Sequence, residues 1–171
     1  FGPTESEAEE DYWAAAAEFA DSVGVDIINS SLGYHDFDYK ATSHTYRQLN
    51  GRTALISRTA SMLADKGIVL TNSAGNDGEN HWKKITVPAD ADNILTVGAL
   101  QRDSMNALFS SVGNTVDGRI KPDVMALGHE CAFIKGNGQI TRGNGTSFAS
   151  PVTCGMVACL WQALPHCTAK Q

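Results

Sequence analysis

The sequence has no run of basic residues. Its 13 Lys and Arg are scattered among 19 Asp and Glu, for a formal net charge of −6. That balance argues against nucleic acid and against anionic membrane surfaces as partners. Long apolar runs are missing too, because no stretch approaches the roughly 20 residues that a membrane-spanning helix needs. No signal peptide is visible, yet the first residue is Phe1 rather than Met. The expectation is therefore a mature product or an excised piece. Cysteine is sparse, with four in 171 residues, and none has the C-x-x-C spacing of a metal knuckle. Cys154 and Cys159 fall on different sides of a helix and cannot easily bridge. All four cysteines are expected to be small, buried apolar residues. The 42% hydrophobic and 19% charged content is that of a globular chain able to bury a core, one domain or a large part of one.

Along the chain, the acidic run Glu5, Glu7, Glu9, Glu10 and Asp11 reads as a solvated first turn that complements a helix dipole. Trp13, Ala16, Ala17, Ala20 and Val23 follow with helical spacing, and Gly24 ends the helix. Residues 25–29 form a short apolar strand running into Ser30-Ser31-Leu32-Gly33. Residues 34–51 show no period and read as a surface loop. Within it, His35, Asp36 and Asp38 have spacings too weak to define a metal site. Leu55, Thr59, Met62 and Leu63 mark a second helix closed by Lys66-Gly67. Further strands are expected at 68–71 and 94–99, with a fourth at 107–109. Residues 131–135 and 139–142, joined by Gly136-Asn137-Gly138, read as a hairpin.

Alternating helices and strands imply right-handed crossovers and a parallel sheet. Ligands of such sheets gather at the carboxyl ends of the strands. The segments 30–33 and 72–78 follow strands there. Gly145-Thr146-Ser147-Phe148-Ala149-Ser150-Pro151 leads into an apolar helix spanning 152–164. A serine at a helix start serves as an N-cap. It also suits a nucleophile whose oxyanion would lie beside unpaired helix N–H donors.

Gly145 to Pro151 resembles the nucleophile motif of the subtilisin-like serine proteases, the subtilases. Ser73-Ala74-Gly75-Asn76 is similar to their oxyanion-asparagine segment, and 28–33 to their substrate-pairing strand. Segments 109–113 and 117–124 also fit, in the family's order. The resemblance implies a three-layer α/β fold with a parallel sheet flanked by helices, and serine endopeptidase chemistry. It implies Ser147 as nucleophile and the Asn76 amide as oxyanion donor. It further implies Ser31, Leu32 and Gly33 as the strand that binds a polypeptide substrate, with Gly33 lining the first specificity pocket. Ser73, Ala74 and Gly75 would form that pocket's opposite wall. By resemblance the protein would be secreted, cell-surface or periplasmic. Calcium accompanies the family, but no ligand set here is specific enough to name, so no cofactor is assigned.

The family's catalytic Asp and His precede all these motifs, and neither segment is matched here. His35, His44, His81, His129 and His166 lack the family's histidine context, and Asp11 and Asp26 have the wrong neighbours. The expectation is an incomplete domain, the C-terminal part of a subtilase catalytic domain. It would be inactive alone, and its exposed sheet edge would pair with an upstream fragment or a second copy. A non-catalytic peptide-binding module is the alternative. An α/β-hydrolase is disfavoured, because Gly145-x-Ser147 is not followed by the glycine of G-x-S-x-G.

Overall fold

The computed structural model describes residues 4–171. Helix α1 (Ala8–Ser22) is rich in alanine, the best helix former. It stops ahead of Gly24, which adopts φ 76°. Strand β1 (Ile27–Ser30) follows. The chain then wanders through two 3₁₀ turns, 40–42 and 46–48, before helix α2 (Leu55–Leu63). A further 3₁₀ turn closes at Gly67, whose φ of 87° forms a left-handed cap. Next come β2 (Val69–Ser73), β3 (Leu95–Leu100), β4 (Gly113–Asn114), β5 (Ile120–Lys121), β6 (Val124–Leu127), β7 (Cys131–Ile134) and β8 (Ile140–Gly143). Helix α3 (Thr146–Ala163) ends the series.

Four parallel strands form the main sheet in the order β1-β2-β3-β6, with Ile28 opposite Leu70, Asn72 opposite Thr96 and Ala99 opposite Ala126. Strands β4 and β5 make a small antiparallel pair, and β7–β8 is the expected hairpin. Successive strand residues point to opposite faces, and β1 shows how the layers form. Ile28 packs into the apolar cluster built with Trp13 and Ala17 of α1, Ile56 and Ala60 of α2, and Leu70. Its neighbour Asn29 instead accepts a hydrogen bond from Ser150 Oγ of α3 at 2.8 Å. The parallel sheet flanked by helices is the architecture the sequence implied.

Four expectations need correction. Residues 107–109 form a turn, not a strand, and the fourth sheet strand is Val124–Leu127. Residues 34–51 are not merely a surface loop, because Tyr34, Phe37 and Leu49 are core residues. The acidic first turn is not simply solvated: Glu9 and Glu10 are buried, while Ala16 and Val23 face outward. Glu9 accepts from the Tyr34 hydroxyl at 2.7 Å. Glu10 is bonded to His44 Nε2 at 2.5 Å and to the Ile56 N–H at 3.0 Å. Burial opposes ionisation of Glu10, but these partners prevail and hold its carboxyl below the usual range. Finally, the four cysteines are free as expected but not buried, with Cys159 exposed and the others half-buried. They lie on the hairpin, on α3 and just beyond it, where the described chain packs thinly.

Candidate active site

The β2 strand ends at Ser73 and delivers the segment that follows, Ala74, Gly75 and Asn76, to the start of α3. Thr146, the first residue of α3, fastens the two together. Its N–H donates to Asn76 Oδ1 at 2.9 Å, and its Oγ1 reaches the same oxygen at 3.1 Å. The same hydroxyl lies 3.2 Å from both the N–H and the C=O of Gly75. Helix N-terminal N–H groups lack intrahelical partners, and Asn76 supplies an acceptor for one of them. With Oδ1 so engaged, the Asn76 Nδ2 donor has no hydrogen-bond partner among the described residues.

The segment after β1 closes the other side. Ser147 Oγ donates to the Ser31 carbonyl at 3.3 Å, and Ser31 Oγ donates to the Ser147 carbonyl at 3.0 Å. Pro151 explains the second contact. An ordinary residue at that position would donate its N–H to the carbonyl four residues earlier, which is that of Ser147. Proline has none, so that carbonyl is open to Ser31. The Leu32 carbonyl is anchored by Asn72 Nδ2 at 3.3 Å. Among the described residues neither the N–H nor the C=O of Gly33 is bonded within the chain, which leaves an extended backbone edge.

A cavity of about 620 Å³ is lined by Ser31, Leu32, Gly33, Ser73, Gly75, Asn76 and Ser147. All the sequence-selected residues therefore meet there except Ala74. That residue is fully buried behind the wall, its N–H on the Val97 carbonyl and its carbonyl on the Thr86 N–H. At the cavity mouth, His35 lies 3.6 Å from Asp77 and stacks on Trp82 at 4.4 Å. Burial raises the Asp77 pKa, but hydrogen bonds from His35 and Asn80 outweigh it and keep the carboxyl below the usual range. Sequence reasoning missed Thr146 as the clamp on Asn76, and Thr86 at the back of the cavity. The first was adjacent to a recognised motif; the second carried no local signal.

None of the five histidines is bonded to Ser147. His35 pairs with Asp77 and His44 with Glu10, and among the described residues Ser147 Oγ has only the Ser31 carbonyl as partner. Among the described residues no group of three or more His, Cys, Asp or Glu is placed to hold a metal ion, so no calcium site is assigned. Among the described residues no helix is long and apolar enough to cross a membrane.

A serine at a helix N-terminus, an amide clamped beside it and an open backbone edge line one cavity on a parallel α/β sheet. The chain belongs to the subtilase family, whose model matches residues 2–171. It is 33% identical over 155 residues to subtilisin DY of Bacillus licheniformis, covering 90% of this chain and 49% of that protein. It is 30% identical over 161 residues to the subtilisin-like protease SBT6.1 of Arabidopsis thaliana, covering 91% of this chain and 14% of the relative. Among solved structures, the S41 psychrophilic protease superposes with a TM-score of 0.67 at 26% identity, over 94% of this chain and 50% of that one. The chain thus spans half the length, or less, of these relatives.

Proposed function

We propose that the full-length protein is a serine endopeptidase in which Ser147 forms an acyl-enzyme with its polypeptide substrate. One observation carries the reading: Ser147, the clamped amide of Asn76 and the unpaired backbone of Gly33 open onto one cavity. A substrate strand laid along 31–33 by β-augmentation would bring its scissile carbonyl to Ser147 Oγ. The Ser147 N–H and Asn76 Nδ2 would then receive the developing oxyanion. Calcium, if the family's metal is present, is structural in this reading and takes no part in a step.

A serine hydroxyl without a base is a poor nucleophile, because its pKa is far above neutrality. The base and its orienting carboxylate would come from residues preceding this chain in the full-length protein. Two surfaces support such a partner. Strand β1 is paired on one side only, to β2, leaving its other edge open among the described residues. Val152, Met156, Leu160 and Leu164, spaced four apart on α3, are exposed apolar side chains. The isolated chain is accordingly inactive and self-associates, or pairs with an upstream fragment. Kinship with the subtilisins supports a secreted, cell-surface or periplasmic location.

The test is labelling of Ser147 with a fluorophosphonate, with sizing by light scattering. The expected result is a dimer, or a complex that labels only when the upstream fragment is present. Rapid labelling of a monomeric isolated chain would refute the need for a partner. A non-catalytic peptide-binding module remains the alternative outcome, signalled by peptide binding with no labelling in the full-length protein.

A further inference from the structure

Backbone pairing between β1 and β2 ends at Ser30 opposite Asn72. Beyond that point the two chains part, and Ser31, Leu32 and Gly33 line one side of the cavity while Ser73, Gly75 and Asn76 line another. Asn72 spans the fork. It is fully buried, and its Nδ2 donates to the Leu32 carbonyl at 3.3 Å and to the Ser73 carbonyl at 2.8 Å. Both partners are acceptors only, so the nitrogen must be the atom that faces them. One amide thereby ties one cavity wall to the other. Yet Asn72 Oδ1 is buried and has no hydrogen-bond partner among the described residues. An unpaired buried carbonyl oxygen is destabilising, and an apolar side chain of similar shape would avoid that cost. Fold stability alone therefore does not account for an amide at this place.

The bond to Leu32 also fixes which way the adjoining backbone faces. Along an extended chain the C=O groups of successive residues point to alternate sides. With the Leu32 carbonyl turned inward to Asn72, the Ser31 carbonyl points to Ser147 Oγ, 3.3 Å away. The N–H and C=O of Gly33 are unpaired among the described residues. We infer that Asn72 is a positioning residue for peptide substrates: its amide holds 31–33 at a set distance from 73–76, with the Gly33 edge turned to the cavity. This rests on the endopeptidase reading. A substrate strand then meets an edge already in place, so binding does not have to order it first.

The test uses full-length protein carrying Asn72→Leu, which removes both donors and keeps a similar shape. Two substrates are compared: a peptide long enough to lie along 31–33, and p-nitrophenyl acetate, too small to reach that edge. The ratio of peptide to ester kcat/KM should fall about tenfold, chiefly through KM for the peptide, as for one lost hydrogen bond. Stability in urea should hold or rise, because the orphan oxygen leaves with the amide. Should Asn72→Leu fail to fold, Asn72→Ala removes the same donors with a smaller side chain. An unchanged ratio in a folded variant overturns the inference, as does an equal loss for both substrates, which would mark a packing role. A loss confined to kcat overturns it too. Binding separates this from failure of the catalytic reading. The same peptide, titrated calorimetrically into Ser147→Ala protein with and without Asn72→Leu, should bind about tenfold more weakly when Asn72 is replaced, and equal affinities would count against the inference. If the unaltered protein hydrolyses neither substrate, the nucleophile assignment falls, and these affinities still decide for or against Asn72.

Discussion

The two halves of α3 differ in composition and have opposite surroundings. In the first half Thr146, Ala149, Ser150 and Thr153 are buried against the sheet and the Asn76 loop. In the second, Met156 and Leu160 are 66% and 59% exposed. The difference in burial follows from that composition and from the partners each half meets. Small side chains at the start let the helix approach β1 and β2 closely, and hydroxyls there find acceptors in Asn29 and Gly75. The larger residues beyond Pro151 present a stripe that no described segment covers. The same contrast runs through the site, where Asn76 and Gly33 stand in place around Ser147 while no histidine among the described residues is bonded to it.

Several changes would break or sharpen that contrast. The largest effect belongs to Ser147→Ala in the full-length protein, which should abolish turnover of a fluorogenic peptide while leaving peptide affinity nearly intact. Retained activity would remove Ser147 from the mechanism. Asn76→Ala should lower kcat by roughly 10²–10³ with little change in KM, a magnitude carried over from a subtilisin, because its hydrogen bond strengthens as charge develops. An effect on KM alone would make Asn76 a pocket residue. Thr146→Val should reduce kcat by about tenfold through loss of one hydrogen bond to Asn76, with Thr146→Ser restoring it. Equal losses in both variants would point to packing instead.

Acid should act on the complete, buried side of the molecule. Because Glu10 is held below its ordinary value of 4.5 in the folded chain, its contribution to stability is present above that value and lost as pH falls through the lowered one. Urea unfolding between pH 6 and about pH 3 should show this decline, and Glu10→Gln should flatten it. A curve of the same steepness in the variant would place the acid sensitivity elsewhere. The smallest effect is expected at the exposed stripe, where Leu160→Ser in the isolated chain should change stability by no more than about 0.5 kcal/mol. In the full-length protein the same change should cost several-fold more, if an upstream segment covers the stripe. Equal costs in the two contexts would leave it an ordinary surface.

Much was legible in advance where a local pattern carries its own physics. Glycine at a left-handed cap closed the 3₁₀ turn after α2, Gly136-Asn137-Gly138 placed the β7–β8 hairpin, and Gly145 to Pro151 marked the start of α3. Periodicity failed where burial depends on distant partners. Glu9 and Glu10 look like solvated helix-start carboxylates until Tyr34, His44 and the Ile56 N–H arrive to satisfy them. Residues 34–51 lack a period because their buried side chains plug gaps rather than cover a face. Strand β6 was hidden by its brevity and by the proline before it.

The sequence by itself determined the fold class and the order of the motifs, because each depends on neighbours within a few positions. Only the tertiary structure decided that Thr146 clamps Asn76, that Pro151 opens the Ser147 carbonyl to Ser31, and that Asn72 reaches the Leu32 carbonyl. Each of these joins segments that sequence separates, and hydrogen bonding and steric exclusion act through distance in space alone.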